Sequence, residues 1–252
     1  MKQTTPLYDA HIHLSDAHYS PHMEYILRGM DATNMVACCV STNLEDSINT
    51  IQLSRMSPRV LPFVGIHPQF ADTDDIQHIS DIIHNQEIVG VGEMGLDPTY
   101  SVDMKTQKAL FTTQLDMAEE LNLPVSIHSR KSLDMILDIL TSYSCRSLLH
   151  WFDGNKSNLR RAMDMGLYVS YGPLSVYASD KKRLLSLTHL DRLLIETDGP
   201  VSFSGCFCHM PAQLGFLPSV AFVAAEAFRY SYADMIEQLH SNMKSYLCNY
   251  LK

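Results

Sequence analysis

Short apolar, β-rich runs alternate along the chain with longer stretches whose apolar residues recur at helical spacing. The runs predict eight strands, over Leu7–Leu14, Met35–Thr42, Val60–Ile66, Ile88–Glu93, Pro124–Ser129, Arg146–Trp151, Leu167–Tyr171 and Arg192–Thr197. Between them, Asp103–Leu121 carries Leu110, Phe111, Leu115 and Ala118 on one helical face, and Ser132–Leu140 carries Leu133, Ile136, Leu137 and Leu140. The last helices are predicted at Leu217–Phe228 and Tyr232–Leu251. Strands each followed by helix, with no Gly/Ser linker and no short repeat, predict an α/β fold: a closed, possibly distorted (β/α)₈ TIM barrel. A chain of 252 residues suits one such barrel, which runs near ~250 residues, so a single domain over 1–252 is expected.

Composition keeps this picture and narrows the chemistry. Hydrophobic residues make up 46% and charged residues 19%, enough for a large core and too little charge for disorder. No apolar run reaches the ~18–20 residues of a membrane span, and Met1–Pro6 leads into a strand without a signal-peptide core, so a cytoplasmic protein with no membrane partner is expected. Its six cysteines then read as reduced thiols, with Cys38-Cys39 in a buried strand. The net charge of −9 argues against a broad basic face gripping duplex nucleic acid, so an anionic substrate needs local cations. Bound metal would supply them. No sustained heptad demands a partner, and a monomer is expected.

Polar, metal-capable residues recur where a barrel's catalytic groups belong, at the carboxyl ends of strands. Asp9-Ala10-His11-Ile12-His13 closes the first; by strict alternation His11 and His13 share one face, while Ala10 and Ile12 take the other. His67 follows the third strand, Glu93 ends the fourth, His128 the fifth, His150 the sixth and Asp198 the eighth. Any one of these has an ordinary structural explanation, a bonded core histidine or a helix cap. Their convergence on one mouth is what points to chemistry. Four imidazoles and two carboxylates without thiolate suit Mg²⁺, Mn²⁺ or Zn²⁺ and do not choose among them. With six donors, two divalent ions become feasible if Glu93 bridges them, the arrangement of many phosphoesterases.

In order along the chain, DAHIH at 9–13, GIHP at 65–68, GEMGLD at 92–97, NLPVSIHSR at 122–130, LHWF at 149–152 and LLIETDGP at 193–200 resemble the TatD family of metal-dependent nucleases. That family belongs to the amidohydrolase-like barrel superfamily. The resemblance covers residues 7–200. It implies one ion held by His11, His13, Glu93 and Asp198, a second held by Glu93, His128 and His150, and phosphodiester hydrolysis of DNA or a nucleotide-like ester by a metal-activated water, often 3′→5′. Two departures stand out: no Arg occurs between Arg192 and Arg229, where the family carries a phosphate-holding Arg, and Trp151 stands where Cys is common.

Within this frame Asp198 reads as ligand and base on the attacking water, and Arg130 as a fork for a phosphate. His67 either contacts substrate or orders the loop before Pro68. Asp97 is expected to orient a ligand, and Cys206-Phe207-Cys208-His209 to be loop packing. The alternative function is an amidohydrolase cleaving a C–N or carboxylic ester bond. Such enzymes commonly bridge their metals with a carboxylated Lys on the fourth strand, where this chain has Glu93.

Overall fold

The computed structural model describes residues 5–73 and 75–248. The Met1–Thr4 lead and the last residues of the predicted C-terminal helix lie outside them. Eight parallel strands follow one another in order around a barrel: β1 Leu7–Ile12, β2 Met35–Val40, β3 Val60–Val64, β4 Gly90–Gly95, β5 Val125–His128, β6 Ser147–Leu149, β7 Tyr168–Tyr171 and β8 Leu193–Ile195. Between and after them run α1 Met23–Thr33, α2 Leu44–Met56, α3 Ile76–Asn85, α4 Met104–Glu120, α5 Leu133–Leu140, α6 Lys156–Asp164, α7 Leu174–Tyr177, α8 Ser179–Leu185, α9 Leu217–Phe228 and α10 Tyr232–Leu247. A small ribbon, β9 Ser202–Phe203 with β10 Met210–Pro211, follows β8.

Two apolar layers hold this together. Inside, Tyr8, Ala10, Val36, Cys38, Val40, Leu61, Phe63, Leu148 and Leu194 fill the barrel, and Tyr246 and Met243 of α10 join them. The Tyr246 hydroxyl donates to the Val125 carbonyl at 3.0 Å, so α10 is tied into the barrel interior. Outside, the other strand faces pack on the helices through residues such as Val91, Ile127, Phe111, Leu115 and Ile136. Each fully buried Leu or Phe contributes about 1.5–3 kcal/mol.

Helix α4 shows how core and site are joined. Asp103 caps its start, accepting from the Lys105 and Thr106 N–H groups. On the buried face with Phe111, Leu115 and Ala118 lie two glutamines. Gln114 pairs with both the N–H (2.8 Å) and the carbonyl (3.0 Å) of Ile66, and Gln107 does the same for Asp97 (2.8 and 3.0 Å). These backbone groups are buried, and leaving one unpaired costs about 1–3 kcal/mol. The helix thereby fixes the segments that carry His67 and Asp97.

Three expectations need correction. The fourth strand runs through Glu93 to Gly95 instead of ending at the acid, because Glu93 is only 4% exposed and its side chain finds partners inside the barrel mouth. Strict alternation in β1 also fails: Ala10 packs in the interior cluster and Ile12 in the outer one, across a register shift between Asp9 and Ile12. Such a bulge re-aims side chains, and His11 and His13 both reach the mouth. Last, Leu110 on α4 is only partly buried, and Gln107 and Gln114 take the places on that face.

The barrel's distortion lies at its seam. Among the described residues β8 and β1 form no ladder; the Asp198 N–H donates to the His11 carbonyl at 3.0 Å and the His13 N–H to the Gly199 carbonyl at 2.9 Å. The buried Asp9 carboxylate completes the join, accepting from the Thr197 N–H (3.0 Å) and hydroxyl (2.5 Å). Burial pushes its pKa up to about 7 although those bonds favour the anion.

Candidate metal centre

His11, Glu93 and Asp198 sit where the chain departs from regular strand geometry. In β4 the register shifts between Val91 and Met94. Gly92 lies there at φ +145°, and a Cβ on it would meet the Ser126 carbonyl oxygen at 2.6 Å. Only glycine allows that approach, which brings Glu93 beside β5. Asp198 takes a left-handed φ of +50° just after β8.

Four donor atoms converge on one side of Glu93. The His11 and His13 Nε2 atoms are 3.3 Å apart; each is 3.6 Å from Asp198 Oδ1, and they lie 3.7 and 3.4 Å from Glu93 Oε2. Their other ring nitrogens are engaged, His11 Nδ1 with Ser126 Oγ at 2.7 Å and His13 Nδ1 with the Val40 carbonyl at 2.8 Å. That leaves Nε2 of each aimed at the cluster. Donors that share one ion at about 2.1 Å stand roughly 3–4 Å from one another, so the spacing fits a shared cation.

The other carboxylate oxygen faces a second group. Glu93 Oε1 lies 2.9 Å from His128 Nδ1, 2.9 Å from His150 Nε2 and 3.6 Å from His67 Nε2. Asp97 Oδ2 takes the far nitrogen of His128 at 2.9 Å, and Thr99 donates to Asp97 Oδ1 twice. His150 Nδ1 is buried without a hydrogen-bond partner among the described residues, and its ring stacks on His11 at 3.8 Å. His67 differs from the others: its Nδ1 accepts from the Gln69 N–H at 3.2 Å, which places the proton on Nε2. It therefore offers the cavity a donor, not a lone pair.

The charges are strongly shifted. Burial would raise Glu93, but the imidazoles of His67 and His150 and the bonds from His11 and His128 hold it well below the usual carboxylate range. Burial would lower His13; the bond to Asp198 and the charges of Glu93 and Asp198 outweigh it and carry it up to about 10. His128 rises to about 9 in the same way, against burial, through Asp97 and Glu93. Burial brings His11 and His67 down to about 4, so both are neutral near pH 7. Asp198 is lowered against its burial by His13 and the neighbouring imidazoles.

A model for TatD-related DNases matches residues 8–247. The chain belongs to that family. YabD of Bacillus subtilis, described as an uncharacterized metal-dependent hydrolase, is 28% identical over 204 residues, 77% of this chain and 80% of that protein. Human deoxyribonuclease TATDN3 is 28% identical over 213 residues, 77% of this chain and 78% of its own. The fold matches the TatD homologue YJJV of Escherichia coli with a TM-score of 0.89 at 23% identity, covering 95% of this chain and 97% of that one.

In this TatD-family chain all six residues singled out as ligands meet at one mouth, under a cavity of about 710 Å³. Arg130 lines that cavity and is its only Lys or Arg among the described lining residues. Cys206 and Cys208 are exposed while Phe207 packs with Phe203, and no described donor cluster includes either thiol. Two carboxylates went unassigned in the sequence. Asp9 braces the seam, and Glu196, fully buried and raised by burial, accepts from the Trp151 N–H at 2.7 Å and the Ser170 hydroxyl at 2.5 Å. Both had a signal, an acid inside an apolar strand run. Among the described residues no helix is long and apolar enough to cross a membrane.

Proposed function

We propose that this chain hydrolyses phosphodiester bonds in DNA or a nucleotide-like ester, as a 3′→5′ exonuclease type of enzyme, with two divalent cations. His11, His13, Glu93 and Asp198 would hold one, and Glu93, His128 and His150 the other. The observation that carries this is the split use of Glu93, whose Oε2 faces the first pair of imidazoles and Oε1 the second. Cations bound there supply Lewis acidity toward the phosphoryl oxygens and make water a nucleophile at neutral pH. Asp198, ionised through the neutral range, accepts the proton that water gives up as its oxygen bonds to phosphorus, and passes it to the leaving oxygen as the P–O bond breaks. The His67 Nε2–H is a hydrogen-bond donor for a phosphoryl oxygen, and Arg130 at the rim binds the phosphate that stays.

Metal-loaded protein should cleave single-stranded DNA and bis-p-nitrophenyl phosphate, lose that activity in chelator, and leave a panel of amides and carboxylic esters intact. Cleavage of the panel with both phosphodiesters untouched would establish the amidohydrolase alternative instead.

Metal affinity should rise with pH. In the metal-free protein the elevated pKa values of about 10 at His13 and about 9 at His128 keep both protonated at pH 7, and a cation must displace those protons to reach the lone pairs. Raising the pH from 6 to 8 should therefore tighten binding by up to about tenfold per unit for each proton displaced. Calorimetry in buffers of different ionisation enthalpy counts the protons released; an affinity flat across this window would rule the protonated arrangement out.

A further inference from the structure

The wall of the cavity beside His150 is aromatic at Trp151. Trp151 adopts a left-handed φ of +42°, a conformation bulky residues rarely take. A buried acid holds it there: Glu196 Oε1 accepts the Trp151 N–H at 2.7 Å. The indole stacks on Phe203, with centroids 5.3 Å apart and planes 24° from parallel, and Phe203 is itself 2% exposed and backed by Phe207. The half-buried Trp151 lines the same cavity as His150 and Asp198, next to Leu174 and Val201. A rigid, braced indole thus borders the place where a phosphoryl group would react.

We propose that Trp151 is a specificity-determining residue that stacks on a nucleobase attached to the scissile phosphodiester. This rests on the phosphodiesterase reading and narrows its substrate to base-bearing esters. With Arg130 the only Lys or Arg among the described residues lining the cavity, little is left to grip a run of phosphates, so recognition falls to the apolar wall. Flat π-faces of any base satisfy it, and stacking of this kind is tolerant of sequence.

Trp151 is the chain's one tryptophan, so its fluorescence reports on this wall directly. In chelator, thymidine 5′-phosphate should change the emission at concentrations at least about tenfold lower than deoxyribose 5-phosphate does. In metal-loaded protein, dithymidine phosphate should be cleaved with a kcat/KM roughly ten times or more that of the same diester with one base replaced by hydrogen. Trp151→Ala should bring that ratio close to one, and Trp151→Phe should keep most of it. Equal emission responses to the nucleotide and the sugar phosphate, or a wild-type ratio near one, would overturn the assignment while leaving phosphodiester hydrolysis standing. If neither diester is cleaved the hydrolytic reading fails, and the emission arm still decides whether Trp151 binds a base.

Discussion

Glu93→Gln should lower turnover by at least about a thousandfold and leave the purified protein with fewer bound divalent ions than the wild type. Changing a residue that merely orients a ligand typically costs 10–100-fold; Glu93 lies within 3.7 Å of nitrogens from five different histidines. A neutral amide offers one good donor oxygen where the carboxylate offers two, so it cannot serve both clusters. It also removes the negative charge that gathers the imidazoles. Without it, His150 loses the largest cause of its raised pKa, and His13 and His128 lose one cause while Asp198 and Asp97 still raise them, so buried positive charge falls along with the negative charge removed. The metal-free variant should for that reason melt close to metal-free wild type, which separates loss of the centre from loss of the fold. Elemental analysis alongside initial rates is the measurement. A Gln variant holding the full complement of ions and working within tenfold of wild type would remove the bridging role.

Periodicity sufficed for the architecture because barrel strands and their helices bury apolar faces at regular spacing. Seven of the eight predicted strands enclose the observed ones, and the ends of α5 and α9 agree closely. The fourth observed strand, Gly90–Gly95, lies two residues beyond the expected Ile88–Glu93 at each end, since a carboxylate suggests a strand terminus and the barrel mouth instead buries it. The glutamines of α4 were invisible for a related reason: they interrupt the apolar stripe, and only the position of the Ile66 and Asp97 backbones explains them.

Residue types at strand ends gave the donors, and the family resemblance gave their grouping, but neither carried the local backbone geometry that aims them. His11 stands in a bulge, Glu93 in a register shift, and Asp198 and Trp151 in left-handed conformations. None of these follows from a two-residue repeat, because each depends on what neighbouring strands present across the gap. At His67 the Gln69 N–H to Nδ1 bond ties down the loop before Pro68 while the ring still lines the cavity, an arrangement that no sequence pattern encodes. What the irregularities share is direction. They turn donors inward from separate strands while Ser126, Asp97 and the Val40 carbonyl take the opposite ring nitrogens of His11, His128 and His13. Such partners fix tautomer and ring orientation before any ion arrives.

Asp198→Asn should reduce kcat by about 10²–10⁴-fold, the range for a positioned general base, and the loss should persist when the metal concentration is raised. The substitution keeps an oxygen near His11 and His13, whose Nε2 atoms are both 3.6 Å from Oδ1, so excess metal can refill the first cluster. What it cannot replace is a proton acceptor. The wild-type carboxyl is lowered by His13 and the adjacent imidazoles, which keeps it anionic through the neutral range and ready to take a proton from water; an amide has no such form. Backbone strain does not confuse the comparison, because asparagine tolerates the φ of +50° found here as readily as aspartate does. The seam survives too, since it is the residue-198 N–H that donates to the His11 carbonyl. Rates measured at increasing Mn²⁺ or Mg²⁺, with occupancy followed in parallel, separate the two roles. Full recovery of kcat at full occupancy would show that Asp198 only holds the ion and that the base lies elsewhere.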